Sequence, residues 1–511
     1  MTGHAAQPPW WRLAAVAFWA IASLGGCDLA PAYHPPHYVL PASYQGLQPF
    51  TIAQPLDTSP RGPWWQQLND PLLDQLEQRL TVENPDLAAM AEEYTQSRDL
   101  AAEARAGLLP QIGASGDLSA NKQSRNRVFR SLTSRAPNYA SNVEVEGAAS
   151  WAPDFWSKIR NATRMQKRLA QASAAALAAA RLSLQTELAD DYIALRGLDA
   201  DAAIYRSSSA YYARAVRITK ERLRGHIAPA LDVARSEGQL ASTQALESSV
   251  AGGRALMQHA IAVLVGSDPI SFSIPVAEKI RLAMPDMPVG VPSALLQRRP
   301  DIADAERQMA AANAAIGVSR AAFYPNITIS ASGGFQDTGF DLFNLPNSLW
   351  SIGASAVVPI FEGGLRHAAL QRSWSQYAQT RDAYRSTVLS AFQEVEDGLA
   401  LTTTLRTQAH QQALVVADAQ RAQTMSLQLY VGGLTDYLNV VVAQETELTA
   451  RTAQIQVQVS RLQAAVNLIG ALGGGWSTAD LPPEDRILPL DKTDRVHEPA
   501  KPDAVAEQIQ P

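Results

Sequence analysis

The chain has little of what catalysts, disulfide scaffolds and nucleic-acid binders depend on. Its 511 residues contain a single cysteine, Cys27, which excludes a disulfide framework and any metal site made of several cysteines. The formal net charge is −6, whereas proteins that bind nucleic acid carry a clustered positive face. We therefore expect no nucleic acid among its partners.

Motifs for catalysis or cofactor binding are also scarce. His34 and His37 lack the i, i+4 spacing of two ligands on a metal-binding helix, so we expect no metal site. The glycine-rich residues 470–475 lack the Lys-Ser/Thr of a phosphate-binding loop, and a helix terminator is the better interpretation. Adjacent carboxylates on expected helices do not face one site, and we interpret them as solvated faces or interhelical salt bridges. They are Asp190 with Asp191 and Glu394 with Glu396. We expect neither a cofactor nor enzyme activity.

One apolar run lies near the N-terminus. Residues 13–24 are mostly apolar, follow Arg12 and precede two glycines, which is typical of an export signal. Residues 24–27 resemble a bacterial lipobox, which would make Cys27 the acylated first residue of the mature protein. A weak membrane anchor, or a signal cleaved elsewhere, is the alternative. No other run approaches the ~20 residues of a membrane-spanning helix.

The residues after Cys27 have a different character. Asp28 follows it directly, and in enteric bacteria an aspartate at this place retains lipoproteins in the inner membrane. Residues 27–63 are rich in proline and poor in periodic apolar positions. Such a segment is expected to be extended and to lie on other structure.

The rest of the chain contains a duplication. Residues 300–303, Pro-Asp-Ile-Ala, have a counterpart 215 residues earlier in residues 85–88, Pro-Asp-Leu-Ala. Each copy reaches a second proline 25 residues after the first, at Pro325 and Pro110. A proline at the first helical position followed by an acidic residue suits a helix start, and the second proline ends the helix. The sequence therefore predicts two structural repeats.

Proline spacing and apolar periodicity divide each repeat into three helices and two strands. The expected helices cover residues 85–108, 155–224, 230–265, 300–323, 364–431 and 435–471. The expected strands cover residues 111–120, 142–152, 327–336 and 349–359. Two successive glycines, Gly432 and Gly433, favour a chain reversal between the last two helices, because glycine takes positive φ at little cost.

The helix lengths predict how the helices pack. A helix over residues 155–224 would be ~105 Å long at 1.5 Å per residue. The two shorter helices of each repeat together have nearly the length of the long one, so they can lie end to end beside it. Helices in globular domains average ~11–12 residues. We therefore predict an α+β protein built on a long antiparallel α-helical bundle.

The four strands constrain assembly. A membrane-spanning strand needs ~9–11 residues, and all four segments are about that long. Four strands cannot close a barrel, since bacterial barrels begin at about eight strands and open edges are not tolerated in lipid. If the strands lie in a membrane, several chains must share one barrel. A small soluble sheet that caps the bundle is the alternative.

Several motifs, in order, resemble those of bacterial outer-membrane efflux factors, the TolC-like channels, in their lipoprotein NodT-type subgroup. The motif Leu-Leu-Gln-Arg-Arg-Pro-Asp-Ile at residues 295–302 is the most specific. The others are Trp64-Trp65 with Asp70-Pro71-Leu72, Asn84-Pro85-Asp86-Leu87, Ala305-Glu306, Phe323-Tyr324-Pro325, Val358-Pro359-Ile360-Phe361-Glu362-Gly363-Gly364 and residues 391–397. The resemblance covers roughly residues 60–475.

The resemblance implies a homotrimer whose four transmembrane strands per chain form a 12-stranded β-barrel in outer-membrane lipid. It implies a passive exit duct for drugs or other small molecules, driven by an inner-membrane RND-type transporter through a periplasmic adaptor (membrane fusion) protein. The expected division of the chain is as follows: a lipoprotein signal peptide over 1–26, an extended segment over 27–63, a first repeat over 64–270, a linker over 271–298, a second repeat over 299–475 and a disordered tail over 476–511.

The resemblance also indicates a gate at the helix turns of the periplasmic tip. Candidate gate residues are Asp232, Asp436, Tyr437 and Leu438; residues 430–438 resemble such a turn, and residues 225–233 are the equivalent in the first repeat. Asp436 could instead be a simple helix N-cap. Val442 occupies a position where relatives can carry an aspartate, so an acidic ring is not expected there.

A second set of motif residues has an expected structural role. Arg298, Arg299, Pro300 and Asp301 should tie the linker to the start of the following helix.

Two alternatives remain open from the sequence. Within the same class, the chain could be an outer-membrane duct for type I protein secretion or metal export. In another class, it could be a lipid-anchored periplasmic coiled-coil scaffold without a pore. The scaffold would tolerate charged substitutions on both faces of its strands, whereas a channel would not tolerate them on the lipid face.

Overall fold

The computed structural model describes residues 27–36, 63–122, 124, 139–285, 295–339 and 341–488. The expected signal peptide, most of the proline-rich segment, part of the linker and the end of the expected tail lie outside these residues. Within the described part, no helix is long and apolar enough to cross a membrane.

Eight helices and four strands follow one another along the described residues. The first repeat contains α1 (Pro71–Glu83), α2 (Pro85–Ala106), β1 (Gln111–Lys122), β2 (Tyr139–Trp151), α3 (Lys158–Arg224) and α4 (Ala230–Leu264). The second contains α5 (Leu295–Arg298), α6 (Pro300–Ala321), β3 (Asn326–Asp337), β4 (Ser348–Val357), α7 (Leu365–Val431) and α8 (Tyr437–Ala471). The ten expected helices and strands are present, and their ends lie within three residues of the expected ones.

The bundle is elongated, as the helix lengths predict. The helices α3 and α7 have 67 residues each, which corresponds to ~100 Å. Their first residues adjoin the strands, and we call this the strand end of the bundle. Their last residues lead into the reversals before α4 and α8, and we call this the turn end.

In each repeat the two shorter helices are stacked end to end beside the long one. Asn84 caps the start of α2 by accepting a hydrogen bond from the Leu87 N–H, and its Nδ2 donates to the Leu264 carbonyl at the end of α4, 2.8 Å away. In the second repeat Arg299, just before α6, donates to the Ala471 carbonyl at the end of α8, 3.0 Å away. Side chains at one helix start thus satisfy carbonyls at the preceding helix end.

The four strands form one antiparallel sheet in the order β1-β2-β3-β4. The pairing register places most of the apolar residues of all four strands on one face. That face carries Ile112, Ala114, Leu118, Val143, Val145, Ala149, Trp151, Ile327, Ile329, Ala331, Phe335, Trp350, Ile352, Ala354 and Ala356. It becomes polar only near the inter-strand loops. The opposite face is mostly polar, with Asp117, Glu144, Glu146, Ser150, Thr328, Ser330, Ser332, Ser351 and Ser355.

The largest hydrophobic core lies midway along the bundle, where α1 covers α3. Leu73, Leu76 and Leu80 of α1 pack against Leu188 and Tyr192 of α3. Asp70 caps α1 by accepting hydrogen bonds from two backbone N–H groups, and it also accepts one from the Tyr192 hydroxyl, 2.9 Å away. This helix is not among the six expected from the sequence. Its helical apolar spacing and its Asp-Pro start are signals that identify it.

Two details concern the end of the second repeat. Gly473, Gly474 and Gly475 all have positive φ, so the glycine-rich stretch terminates α8, as expected. The expectation of a disordered tail from residue 476 is wrong for residues 476–488. Ile487 is fully buried against α2 and α3, and its carbonyl accepts a hydrogen bond from Arg98, 3.1 Å away.

Candidate functional site

The two reversals at the turn end have the same backbone structure. In the first, the Ile227 N–H donates to the Arg222 carbonyl at 2.8 Å, and in the second the Leu434 N–H donates to the Leu429 carbonyl at 2.9 Å. The residue with positive φ is His226 in one and Gly433 in the other. Both are helix ends closed by a left-handed residue, and the duplication seen in the sequence therefore extends to the turns.

A buried polar contact joins the two turns. The Tyr430 hydroxyl, at the end of α7, donates to Oδ2 of Asp232, at the start of α4, over 3.1 Å. Arg222, near the end of α3, stacks over the Tyr430 ring at 4.7 Å and donates to the Val431 carbonyl at 3.0 Å. We call Arg222, Asp232 and Tyr430 the tip cluster. It links the last turns of α3 and α7, which belong to different repeats.

Burial fixes the protonation of the tyrosine in this cluster. Burial, followed by the hydrogen bond to Asp232, raises the pKa of Tyr430 to about 12. The hydroxyl therefore remains a donor over the physiological range. Asp232 itself is only 7% exposed, so little water is available to replace that donor.

Tyr437 supports the cluster from the first turn of α8. Its ring meets the Tyr430 ring edge to face at a centroid distance of 5.0 Å, and it is buried together with Val440. Burial, followed by the neighbouring Tyr430, raises the pKa of Tyr437 above its ordinary value. Tyr437 is thus part of a small core at the turn end.

The other two candidate gate residues face solvent. Leu438 is 48% exposed, and Val442, one helical turn later, is 55% exposed on the same face of α8. Asp436 occupies the N-cap position of α8, but its side chain accepts no cap hydrogen bond. The structure therefore places Asp232 in the tip cluster and Tyr437 against its aromatic ring, whereas Asp436 and Leu438 are exposed.

Arg222 and Tyr430 were not among the candidates from the sequence. Tyr430 belongs to the turn motif, and an arginine beside a turn is a signal that could have drawn attention. The contact between them joins residues 208 positions apart, which spacing along the chain does not predict.

The motif residues near the linker meet at the middle of the bundle. Arg299 is 8% exposed and pairs with Asp301 at 2.7 Å and with Glu394 of α7 at 2.6 Å. Burial lowers the pKa of Arg299, but its partners Asp301 and Glu394 raise it by more, so the net pKa lies above the ordinary value. Pro300 is the first residue of α6, and the backbone of Arg298 lies against Gly473. Arg299 thus joins the start of α6 to α7 and to the end of α8, and the role of the four residues in tying the linker to the helix start stays a prediction.

Carboxylates from α3, α6 and α7, which lie far apart in the sequence, line one open cavity of about 1130 Å³. Its lining includes Glu187, Asp190, Asp191, Asp301, Glu394 and Asp397. Burial raises the pKa values of Asp190 and Asp191 to about 6. Glu394 pairs with Arg299 at the start of α6, which agrees with the interpretation of these carboxylates as members of interhelical salt bridges. Among the described residues, no group of three or more His, Cys, Asp or Glu is arranged to hold a metal ion.

The fold and its turn end define a class. A helical bundle ~100 Å long, with paired turns at one end and a sheet with one apolar face at the other, is the protomer of a membrane-embedded helical channel. The sequence profile described as outer membrane efflux protein matches residues 76–267 and 291–474, which is well over half of the chain. The chain therefore belongs to the outer membrane efflux protein family.

Proteins of similar sequence are named as outer membrane proteins of export and efflux systems. The pyoverdine export outer membrane protein OpmQ of Pseudomonas aeruginosa is 32% identical over 459 residues, which covers 89% of this chain and 95% of OpmQ. The antibiotic efflux pump outer membrane protein ArpC of Pseudomonas putida is 30% identical over 457 residues, with 89% and 93% coverage. The solved structure of the outer-membrane channel OprN superposes with a TM-score of 0.81 at 25% identity, and covers 88% of this chain and all of that one.

Proposed function

We propose that this protein is the outer-membrane exit duct of a tripartite efflux pump for small organic molecules. The observation that carries the proposal is the sheet at the strand end, which has one continuous apolar face. Ile112, Trp350 and Ile352 on that face are 83%, 78% and 71% exposed in the single chain. Lipid is the environment that would cover such a face without covering the polar one.

The sheet edges support a trimer. Strands β1 and β4 each have an unpaired edge within the chain, and unpaired backbone groups are costly in lipid. Four antiparallel strands let β4 of one copy pair antiparallel with β1 of the next. Three copies would close a 12-stranded barrel, within the even numbers of eight or more that bacterial barrels have.

The proposed partners and cargo are inferred from the family. An inner-membrane RND-type transporter would drive the cargo, and a periplasmic adaptor would receive the turn end of the bundle. The relatives named above export pyoverdine and antibiotics, which favours small organic cargo over secreted proteins or metal ions. Acylation of Cys27, which is exposed, would add an anchor in the outer membrane.

The turn end would be the gate. The tip cluster joins the two helix pairs of one chain, and Tyr437 packs behind it. Leu438 and Val442 expose apolar side chains from α8, and three symmetric copies could form apolar constrictions. Asp436 would contribute charge at the entrance from its exposed position. Breaking the tip cluster is then the step that lets the turns separate.

The test measures assembly and conductance on material extracted separately from outer and inner membranes. The protein mass, corrected for detergent, should correspond to three chains in the outer-membrane fraction, and the same material should conduct ions in a planar bilayer. A Cys27→Ser variant should lose the acyl groups and still form trimers. A soluble monomer from that variant would instead favour the coiled-coil scaffold and refute the channel.

A further inference from the structure

The residues that follow Cys27 are held by specific side chains of the bundle. One carboxylate oxygen of Asp28 accepts hydrogen bonds from Asn161 Nδ2 and from the Ala30 N–H, both at 3.0 Å. The other carboxylate oxygen pairs with the Arg164 guanidinium at 2.9 Å. Both oxygens of Asp28 are therefore occupied in the folded chain.

The contacts continue over the next five residues. The segment 28–33 lies between α3 and α6, and three further hydrogen bonds fix it. They join the Leu29 carbonyl to Arg320 at 3.2 Å, the Pro31 carbonyl to Asn313 at 2.8 Å and the Tyr33 hydroxyl to Glu306 at 2.6 Å. Because each partner lies farther from the strands than the one before, the segment runs away from the strand end.

A glycine makes room for this segment. A Cβ atom at Gly317 of α6 would lie 2.5 Å from Asn161 Nδ2 and 2.8 Å from the Ala30 Cβ, which is closer than real Cβ contacts. The lack of a side chain there lets Ala30 approach the α6 backbone while Asn161 reaches Asp28. The groove between α3 and α6 is thus shaped for the segment.

The position of Asp28 along the bundle determines where Cys27 emerges. Asn161 is the fourth residue of α3, about 5 Å from its start at 1.5 Å per residue. Arg320 lies in the last turn of α6, just before β3. Cys27, which is exposed, therefore leaves the groove within about one helical turn of the strand end.

We propose that Asp28 is the positioning residue of the lipid anchor, docking the chain after Cys27 on Asn161 and Arg164 so that the acyl chains emerge at the strand end. This inference rests on the proposed acylation of Cys27. It assigns Asp28 a role in the folded protein that is separate from any role during sorting. Partial burial raises the pKa of Asp28, but the hydrogen bonds from Asn161, Ala30 and Arg164 outweigh it, and the net pKa lies below the ordinary value.

The test uses chymotrypsin on the native acylated protein in detergent. The segment 27–36 contains one aromatic residue, Tyr33, which is its preferred chymotrypsin site; a cut there releases the acylated residues 27–33, and a slower cut after Leu29 is distinguished by mass. Peptide mass distinguishes this cut from cuts later in the chain. Asp28→Asn and Arg164→Ala should speed the cut by about three- to tenfold, because a charged hydrogen bond at a half-exposed site is lost. Gly317→Ala, which perturbs the groove without changing Asp28, should have the same effect.

Arg421→Ala is the matched control, since it removes an exposed ion pair with Asp418 near the turn end of α7, far from the segment, and should leave the rate unchanged. A rate for Asp28→Asn equal to that of the unmodified chain would overturn the docking. The intact mass of the same samples reports whether Cys27 is acylated. An unacylated cysteine would refute the anchor, whereas the rate of the cut after Tyr33 would still decide the docking.

Discussion

Removal of one hydroxyl from the tip cluster should open the channel. In Tyr430→Phe the ring and its contact with Tyr437 remain, but the donor to Asp232 is lost. A hydrogen bond to a charged group contributes about 1.5 to 3 kcal/mol, and the burial of Asp232 argues for the upper part of that range. Since about 1.4 kcal/mol is a tenfold change in an equilibrium constant, the ratio of open to closed states should rise by about 10- to 150-fold.

The assay is the open probability of single channels in planar bilayers. Tyr212→Phe is the matched control, because the Tyr212 hydroxyl also makes a buried interhelical hydrogen bond, to the Gln444 carbonyl at 3.0 Å. That bond joins α3 to α8 seven residues after Tyr437 and lies outside the tip cluster. Its loss should lower the thermal stability of the protein slightly and leave the open probability unchanged.

Two results would contradict the reasoning. An intact Tyr430→Phe trimer with unchanged open probability would show that the hydrogen bond to Asp232 does not hold the gate. An equal rise in Tyr430→Phe and Tyr212→Phe would show that any loosening of the bundle opens the channel, and the tip cluster would have no special role.

Three further predictions concern the sheet, the cavity and the end of α8. Ile352→Arg, on the apolar face, should destabilise the membrane-inserted trimer by about 2 to 4 kcal/mol. Ser351→Arg, on the polar face, should have little effect, and urea unfolding from lipid vesicles compares the two variants. The pKa of Asp190 is raised to about 6 in the folded state, so folding favours the protonated form of this carboxyl. The stability that this preference contributes is fully present below about pH 4 and is lost as pH rises through 6. Asp190→Asn should therefore reduce the fall in melting temperature between pH 4 and 7. Gly473→Ala, at φ +94° and against a backbone carbonyl, should cost about 2 to 4 kcal/mol in thermal unfolding, and Gly363→Ala, at positive φ in open space, about 1 kcal/mol.

The sequence allowed the bundle and its sheet to be predicted because local signals mark them. Prolines delimit the helices, the duplication gives the first helix of each repeat a copy 215 residues away, and alternating polarity marks β3. Residues 476–488 were misjudged because prolines and charges there resemble a disordered tail. Their order depends on Ile487 and on Arg98, which is 389 positions away.

The candidate site was less predictable than the fold. Through the family resemblance, the sequence indicated the turns, one member of the tip cluster, Asp232, and the buried Tyr437 that packs against it. It did not indicate which side chains meet, because that depends on the rotation of α3 relative to α7 at the end of a ~100 Å helix. The cavity shared by Asp190 and Glu394 was unpredictable too, because it depends on how α3 and α7, helices from different repeats, are rotated relative to each other.

The two turns of one chain are duplicates with complementary side chains, which suits the tip cluster to the proposed role of holding the gate closed. The two turns have the same backbone hydrogen bonds, yet corresponding positions carry different side chains: Arg222 corresponds to Leu429 and Leu223 to Tyr430. The cation and the carboxylate of Asp232 come from the first repeat, and the aromatic ring comes from the second. Two identical turns would place like groups opposite each other, whereas this pair is complementary. In the proposed gate, separating these two turns within each chain is the motion by which the ring of turns would widen.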